Sequence, residues 1–244
     1  MLASVVTPTK NSADLVHTHY RSVAAQFESD HRFFEIVYVD DGSSDNTVHE
    51  ISTLAERDRR VRGVFLDPGC GQQAAVWAGL SEARGDVRVS LDVDLEVPAK
   101  MIGLFLKEIG EGADLVLAAR TKRNEKGMLR RLGSRSFNAY MRLRTGLAIE
   151  DFGCGACALT ADLVERMTKD RRPHRGLKHI AGRLAERPTN VPVAEVELSG
   201  TGSSYHLPQL IGVFRGAATV KVGLDLPPHV RVTRTHDDRL KNTA

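Results

Sequence analysis

An α/β fold is what the sequence predicts: a single domain with a mostly parallel central sheet and helices on both faces. Three observations predict it. From Ala3 to Ala119, short β-rich apolar runs alternate with segments of helical period across short connections, which is the pattern of repeated βαβ units. Phe34–Val39 is continuously apolar apart from Glu35, as a strand covered on both faces requires. The chain has 244 residues, 41% hydrophobic and 27% charged, which suits one globular core and excludes disordered or collagen-like chains.

Each element follows in order. Ala3–Thr7 is a β-rich run ended by Pro8. Asp14–Glu28 is a helix, with Leu15, Val16, Tyr20, Val23, Ala24 and Phe27 three and four apart. His17 and His19 lie on it, and partial exposure accounts for both without a ligand set. Phe34–Val39 is a buried strand that runs into Asp40-Asp41-Gly42-Ser43-Ser44-Asp45. Ser44 or Asp45 caps the next helix, whose apolar stripe is Val48, Ile51, Leu54 and Ala55. Val61–Leu66 is a third strand, Gly71–Ala83 a third helix, and Val87–Leu91 a fourth strand ending in Asp92-Val93-Asp94. Pro98 starts another helix and Asp114–Ala119 makes a fifth strand.

Beyond Arg120 the regularity falls off. Leu129–Leu143 reads as a helix, with Leu129, Leu132, Phe137, Tyr140 and Met141 on its apolar side. Ala148–Leu159 is Gly- and Cys-rich and reads as an irregular strand. Asp162–Lys169 and Arg175–Ala185 are short helices, and Val191–Leu198 is a last alternating strand. The domain is expected over 1–225 and a polar tail over 226–244.

The longest run free of Lys, Arg, Asp and Glu, Leu198–Phe214, is interrupted throughout by polar residues and glycines. A bilayer span needs roughly 20 apolar residues, so no transmembrane helix is expected. MLASVVTPTKNSAD has no basic segment followed by an apolar one, so no signal peptide is expected either. The expected location is cytoplasmic, either soluble or peripherally associated with the inner face of the membrane. Three cysteines build no disulfide framework, and Cys154-Gly-Ala-Cys157 reads as two small buried side chains.

Net charge is +3, but nine basic residues and a single acid lie between Arg120 and Arg144, leaving the remainder of the chain at −5. Such a segment meets an anion or forms a solvated face. An aromatic content of 5% gives few stacking platforms, so nucleic acid is not the expected partner. Phosphates or an anionic membrane surface contacting 120–144 fit better. A basic amphipathic helix equally suits a homodimer contact.

In open parallel sheets, ligands bind beyond the carboxyl ends of the strands. Two of those ends carry aspartates, Asp40–Asp41 and Asp92–Asp94, with Glu96 two residues further on. Hard carboxylate oxygens there suit Mg²⁺ or Mn²⁺ bridging to a diphosphate. A rival pattern is Gly69-Cys70-Gly71-Gln72-Gln73-Ala74, which matches a dinucleotide fingerprint, with Asp92 about 20 residues on. It would make the chain an NAD(P) oxidoreductase. Against it, the glycines sit in the third strand–helix unit, and the acid is a doublet. The Tyr-x-x-x-Lys of a short-chain reductase is also missing, since Tyr140 is followed by Arg144 and Tyr205 by Gln209.

Thr7-Pro8-Thr9-Lys10-Asn11, Val39 through Thr47 (VDDGSSDNT) and Asp92-Val93-Asp94-Leu95 resemble the inverting family 2 glycosyltransferases of GT-A fold. Gly71 through Ala75, Gly79-Leu80 and Asp94 through Pro98 narrow the resemblance. They are similar to the polyprenyl-phosphate sugar transferases, the group of dolichol-phosphate mannose synthase and its bacterial undecaprenyl-phosphate relatives. Arg120, Arg130, Arg131, Ser134, Ile149 through Gly153 and Gly202 through Tyr205 extend it, so that it covers roughly residues 3–206. The resemblance implies a sugar transfer from a nucleoside-diphosphate sugar, uridine favoured, to a polyprenyl phosphate. A soluble acceptor with the same donor chemistry is the second reading, and a non-catalytic nucleotide-sugar-binding relative is the third.

The same resemblance implies roles. Pro8, Thr9 and Asp40 line the nucleobase pocket, Asp41 and Asp92 hold ribose and diphosphate, and Asn11, Gln73 and Val93 complete the nucleotide-sugar site. Asp94, with Asp92 and Glu96, holds Mg²⁺ or Mn²⁺. Arg120, Arg130, Arg131 and Ser134 cradle the acceptor phosphate, with Asp94, Arg120 and Arg131 central to catalysis. A phosphate acceptor is already anionic and needs no base, whereas an alcohol acceptor would need one, for which Asp151 is the candidate.

Overall fold

In a computed structural model, which describes residues 1–122, 128–170, 176–194 and 230–235, β1 (Leu2–Thr9) runs through the middle of the sheet. α1 (Ala13–Ser29) leads to β2 (Phe33–Asp40), α2 (Thr47–Arg57) to β3 (Val61–Asp67), and α3 (Gln72–Glu82) to β4 (Val87–Ser90). Then come α4 (Met101–Gly110), β5 (Leu115–Lys122), α5 (Met128–Thr145), β6 (Cys157–Thr160), α6 (Ala161–Lys169), α7 (Leu177–Leu184), β7 (Pro188–Ala194) and β8 (Arg231–Arg234). The strands form one eight-stranded sheet in the order β7-β5-β6-β4-β1-β2-β3-β8. β1 pairs in parallel with both β2 and β4, so the connection order reverses on either side of β1.

Side chains alternate across this sheet and build two cores. Val5, Ile36 and Tyr38 point to the face covered by α1, α2 and α4, where Val23, Phe27, Ile51 and Phe105 pack. Val6, Val37 and Val39 point to the other face, against Trp77 and Leu80 of α3, Leu163 of α6 and Ile180 of α7. The period-2 alternation of strands thus feeds both layers at once.

Four departures from the sequence reading have physical causes. Ala148–Leu159 is not one irregular strand, since only Cys157–Thr160 pairs, and it runs antiparallel to both β4 and β5. Four residues of the expected polar tail, Arg231–Arg234, form the edge strand β8 antiparallel to β3, while Val230 and Val232 pack on the second core. Asn46, not Ser44 or Asp45, is the N-cap of α2, though the Asp45 carboxylate accepts from the Thr47 N–H at 3.0 Å. His19 is fully buried rather than partly exposed, bonded to Thr7 Oγ1 at 3.2 Å and the Tyr38 hydroxyl at 2.9 Å. Burial holds its pKa down at about 3, so the ring is neutral. His17 is partly exposed and lies 2.8 Å from Glu50. Cys154 and Cys157 are buried free thiols, and burial pushes Cys157 up to about 11. No helix among the described residues is long and apolar enough to cross a membrane.

Candidate active site at the carboxyl ends of the strands

The ends of β1, β2 and β4 open on one side of the sheet, where the strand order reverses. Thr9 pairs with Asp40 in register, and both are buried. Pro8 is buried one residue earlier, opposite Val39. Thr9 Oγ1 donates to the Val39 carbonyl at 3.2 Å. Asn11 takes a left-handed backbone (φ 50), which asparagine tolerates better than most residues. That turn lets its N–H reach Ser43 Oγ at 2.8 Å and its Oδ1 accept from the Ser44 N–H at 2.9 Å. The Asp40 carboxylate accepts from the backbone N–H of Ser43 at 2.9 Å and from its hydroxyl. The Asp-Gly-Ser-Ser run is therefore a folded turn that ties β2 to the start of α1.

Asp41 fastens a second loop. Its Oδ1 accepts from the N–H groups of Cys70 (2.6 Å) and Gly71 (2.9 Å), and Lys10 Nζ stands 3.6 Å from Oδ2. A Cβ on Gly69 would fall on the Asp41 carbonyl, so glycine is required there by close approach. This counts against the dinucleotide reading of Gly69-Cys70-Gly71. Two backbone donors that would cradle a pyrophosphate already serve Asp41.

At the end of β4, Asp92 is half-buried and accepts from Gln72 Nε2 at 2.9 Å. A Cβ on Gly155 would run into its carboxylate, so the segment before β6 passes directly against it. Burial and the neighbouring Asp94 charge both push the Asp92 carboxyl above the usual carboxylate range, while Lys178 and Arg120 pull it back. Val93 and Asp94 are half-buried in the following turn. Leu95 has φ 55, a strained backbone for a bulky residue. That turn brings the Glu96 N–H to Asp94 Oδ1 at 3.2 Å.

Glu96 points elsewhere. It is exposed, with Oε2 3.7 Å from Arg120 Nη1. Asp92, Asp94 and Glu96 do not converge, and no group of three or more His, Cys, Asp or Glu side chains among the described residues is arranged to hold a metal. A divalent ion still fits Asp92 and Asp94. Mg²⁺ is ordinarily held by one or two carboxylates plus substrate phosphates, and the mutual repulsion of these two acids is what a cation would relieve.

Arg120 and Asp151 form a tight pair across the site. Arg120 Nε donates to Asp151 Oδ2 at 2.7 Å and Nη2 to Oδ1 at 3.3 Å, the two-pronged geometry that guanidinium favours. The Gly153 N–H also donates to Asp151 at 3.0 Å. As a general base Asp151 is thus poorly placed, because its oxygens already hold Arg120. Gln73 Oε1 accepts from the Leu177 N–H at 3.2 Å, joining α3 to α7. Arg130, Arg131 and Ser134 occupy α5, but their side chains lie outside the described residues, as do Leu198 through Tyr205.

Lys178 was not among the residues the sequence singled out. Its Nζ donates to the Asp151 carbonyl at 2.8 Å, and its charge acts on Asp92. A lone lysine near the start of a short amphipathic helix carries no motif, so nothing local marked it.

The model of the family described as "Glycosyl transferase family 2" matches residues 4–167. An undecaprenyl-phosphate 4-deoxy-4-formamido-L-arabinose transferase of Pseudomonas aeruginosa (strain LESB58) is 35% identical over 214 residues, 87% of this chain and 62% of its own length. The protein of the same name from Edwardsiella ictaluri is 30% identical over 217 residues, covering 88% and 66%. The chain therefore spans under two thirds of the length of the relatives it matches. Among solved structures, glucosyl-3-phosphoglycerate synthase of Mycobacterium tuberculosis, with Mn²⁺, UDP and phosphoglyceric acid, superposes at a TM-score of 0.63 and 19% identity, over 88% of this chain and 75% of that one. A mannosyltransferase from Pyrobaculum calidifontis, with GDP-Man and Mn²⁺, gives 0.57 and 19%, over 81% and 58%. These likenesses show the fold.

Proposed function

This chain belongs to glycosyl transferase family 2, and from that premise we propose that it moves a sugar from a nucleoside-diphosphate sugar to a polyprenyl phosphate, with inversion. One observation carries the reading. Asp92 and Asp94 stand at the end of β4, beside the buried Asp40–Asp41 turn, at the reversal of strand order. The named activity of the undecaprenyl-phosphate relatives supports the acceptor.

The residues divide the work as follows. The Thr9–Asn11 strand end and the Asp40–Ser44 turn line the nucleoside pocket, with uridine favoured. Asp92 and Asp94 would hold Mg²⁺ or Mn²⁺, which supplies charge neutralisation for a departing diphosphate. Gln73 and Val93 complete the donor side. The acceptor phosphate is anionic at neutral pH, so its oxygen attacks without proton removal. Asp151 accordingly serves as the counter-ion of Arg120 rather than as a base. Arg130, Arg131 and Ser134 on α5 belong to the acceptor side, and segment 120–144 meets the membrane surface that carries the lipid.

A thermal-shift panel of UDP, GDP, dTDP and NAD(P), each with Mn²⁺ and with EDTA, tests the donor half. A ligand at a hundredfold excess over its Kd stabilises by about 2.7 kcal/mol. A Mn²⁺-dependent shift with UDP, lost in Asp94→Ala, is the expected result, and a shift with NAD(P) alone, indifferent to EDTA, overturns it. Transfer of label from the matching nucleotide sugar to undecaprenyl phosphate then tests the acceptor. Turnover only with a water-soluble phosphate or alcohol would overturn that half.

A further inference from the structure

We propose that the Lys178 ammonium is the cation that binds a substrate phosphate oxygen at the rim of Asp92, while Arg120 is held back as the fixed partner of Asp151. The proposal rests on the glycosyl-transfer reading above and assigns it a residue that neither a motif nor a relative's name points to.

Among the described residues, Arg120 and Lys178 are the cations gathered around Asp151 at this end of the sheet, and the structure uses them differently. Arg120 has a side chain only 13% exposed; it is bound through Nε and Nη2 to Asp151 and lies 3.7 Å from Glu96 through Nη1. Its charge and its directional donors are committed to protein carboxylates. Lys178 spends a single hydrogen bond, and on a neutral acceptor, the backbone carbonyl of Asp151. No carboxylate among the described residues lies within ion-pair distance of it. An ammonium has three donors, so both its charge and further donors are available to an incoming anion.

The placement is built rather than incidental. Lys178 is the second residue of α7, and the first, Leu177, donates its N–H to Gln73 at the start of α3. The adjacent Gln72 reaches Asp92 Oδ1. Gly176, just before α7, packs against the Gln73 side chain so closely that a Cβ would collide with it. The start of α7 is therefore pinned to the same α3 turn that touches the Asp92 carboxylate.

Charge balance gives this cation a task. Among the described side chains, Asp92, Asp94, Glu96 and Asp151 outnumber Arg120 and Lys178 by two, so a divalent ion would bring these groups to neutrality. A phosphate that then enters meets in Lys178 a cation that, among the described residues, is not paired to a protein carboxylate. Lysine suits this task as a mobile point charge on a flexible stem, whereas the fixed fork of Arg120 suits the two-pronged grip on Asp151.

A purely structural role would be a tack holding the 149–153 segment through the Asp151 carbonyl. Lys178→Met and Lys178→Arg separate the two roles in three assays. These are UDP binding with Mn²⁺, binding of inorganic pyrophosphate with Mn²⁺, and steady-state transfer to undecaprenyl phosphate. Loss of a charge-assisted bond is expected to weaken the affected step by about tenfold or more in Lys178→Met, and Lys178→Arg is expected to recover most of it. The melting temperature is expected to stay near that of the parent in both. Weaker UDP and pyrophosphate binding assigns the donor diphosphate. A raised acceptor KM with unchanged UDP binding assigns the acceptor phosphate. Unchanged binding and KM overturn the proposal, as does a loss that tracks a fall in melting temperature and is not restored by arginine. If the parent transfers no sugar, pyrophosphate binding that falls in Lys178→Met still upholds the phosphate site, so the two readings fail separately.

Discussion

The two walls of the site hold their acids by different chemistry. On the wall made by β1, β2 and the start of α3, Asp40 is held by the N–H and hydroxyl of Ser43, and Asp41 by the N–H groups of Cys70 and Gly71. On the wall made by β5, the 149–153 segment and α7, Asp151 is held by a guanidinium, with Lys178 beside it. Neutral backbone donors are directional, and the chain's own turns set their positions. Cations act over longer range and depend on ionic strength. The first wall is therefore shaped before any ligand arrives, and the second is the one whose electrostatics an incoming anion rearranges.

The largest expected effect is on the second wall. Asp151→Ala takes the two-pronged carboxylate away from the largely buried Arg120, and removing one member of a buried pair costs about 3 kcal/mol, read as a lower urea midpoint. That penalty is expected to shrink as salt is added. Asp41→Ala orphans the Cys70 and Gly71 N–H groups, for about 2 kcal/mol, with little salt dependence in the same titration. A larger, salt-sensitive loss at Asp41 than at Asp151 would reverse the assignment of the two walls.

A third effect is in pH. His19 sits behind the first wall, neutral because burial keeps its pKa at about 3. Above the ordinary histidine value of about 6.5, neither the folded nor the unfolded state protonates it, so it contributes no pH dependence. Below that value the unfolded chain takes up the proton and the folded one does not. Stability is thus lost as pH falls, by about 1.4 kcal/mol at about pH 5.5. His19→Gln is expected to flatten this part of the pH–stability curve relative to the parent. The smallest effect lies away from both walls. Thr160 caps α6 through its Oγ1, which accepts from the Leu163 N–H at 3.2 Å, and Thr160→Ala is expected to cost about 1 kcal/mol. It measures how much of any change at Asp41 or Asp151 exceeds the loss of one ordinary cap.

Residues up to Ala119 were legible because each strand there is marked twice, by its own apolar run and by a helical segment beside it. Asp40, Asp41, Asp92 and Asp94 could be placed at strand ends for the same reason. The 148–159 stretch was not legible because its small residues answer to a neighbour, Gly155 having to clear the Asp92 carboxylate. Val230 and Val232 are two apolar residues in a polar segment, and Val232 joins a strand only because β3 offers an edge. His19 read as partly exposed because its buried partners, Thr7 and Tyr38, come from two different strands.

From the order of residues alone came the layered α/β architecture, the two aspartate-bearing strand ends and the family resemblance. All of these are local, since periodicity, turn residues and short motifs act over a few neighbours along the chain. The tertiary structure decided which charge meets which. Asp41 closes the Gly69–Gly71 loop, Asp151 takes Arg120 across 31 positions of sequence, and Lys178 reaches the Asp151 carbonyl from α7. Burial decides whether a charge needs a partner and long-range packing decides where that partner comes from, and neither is written in the spacing of residues along the chain.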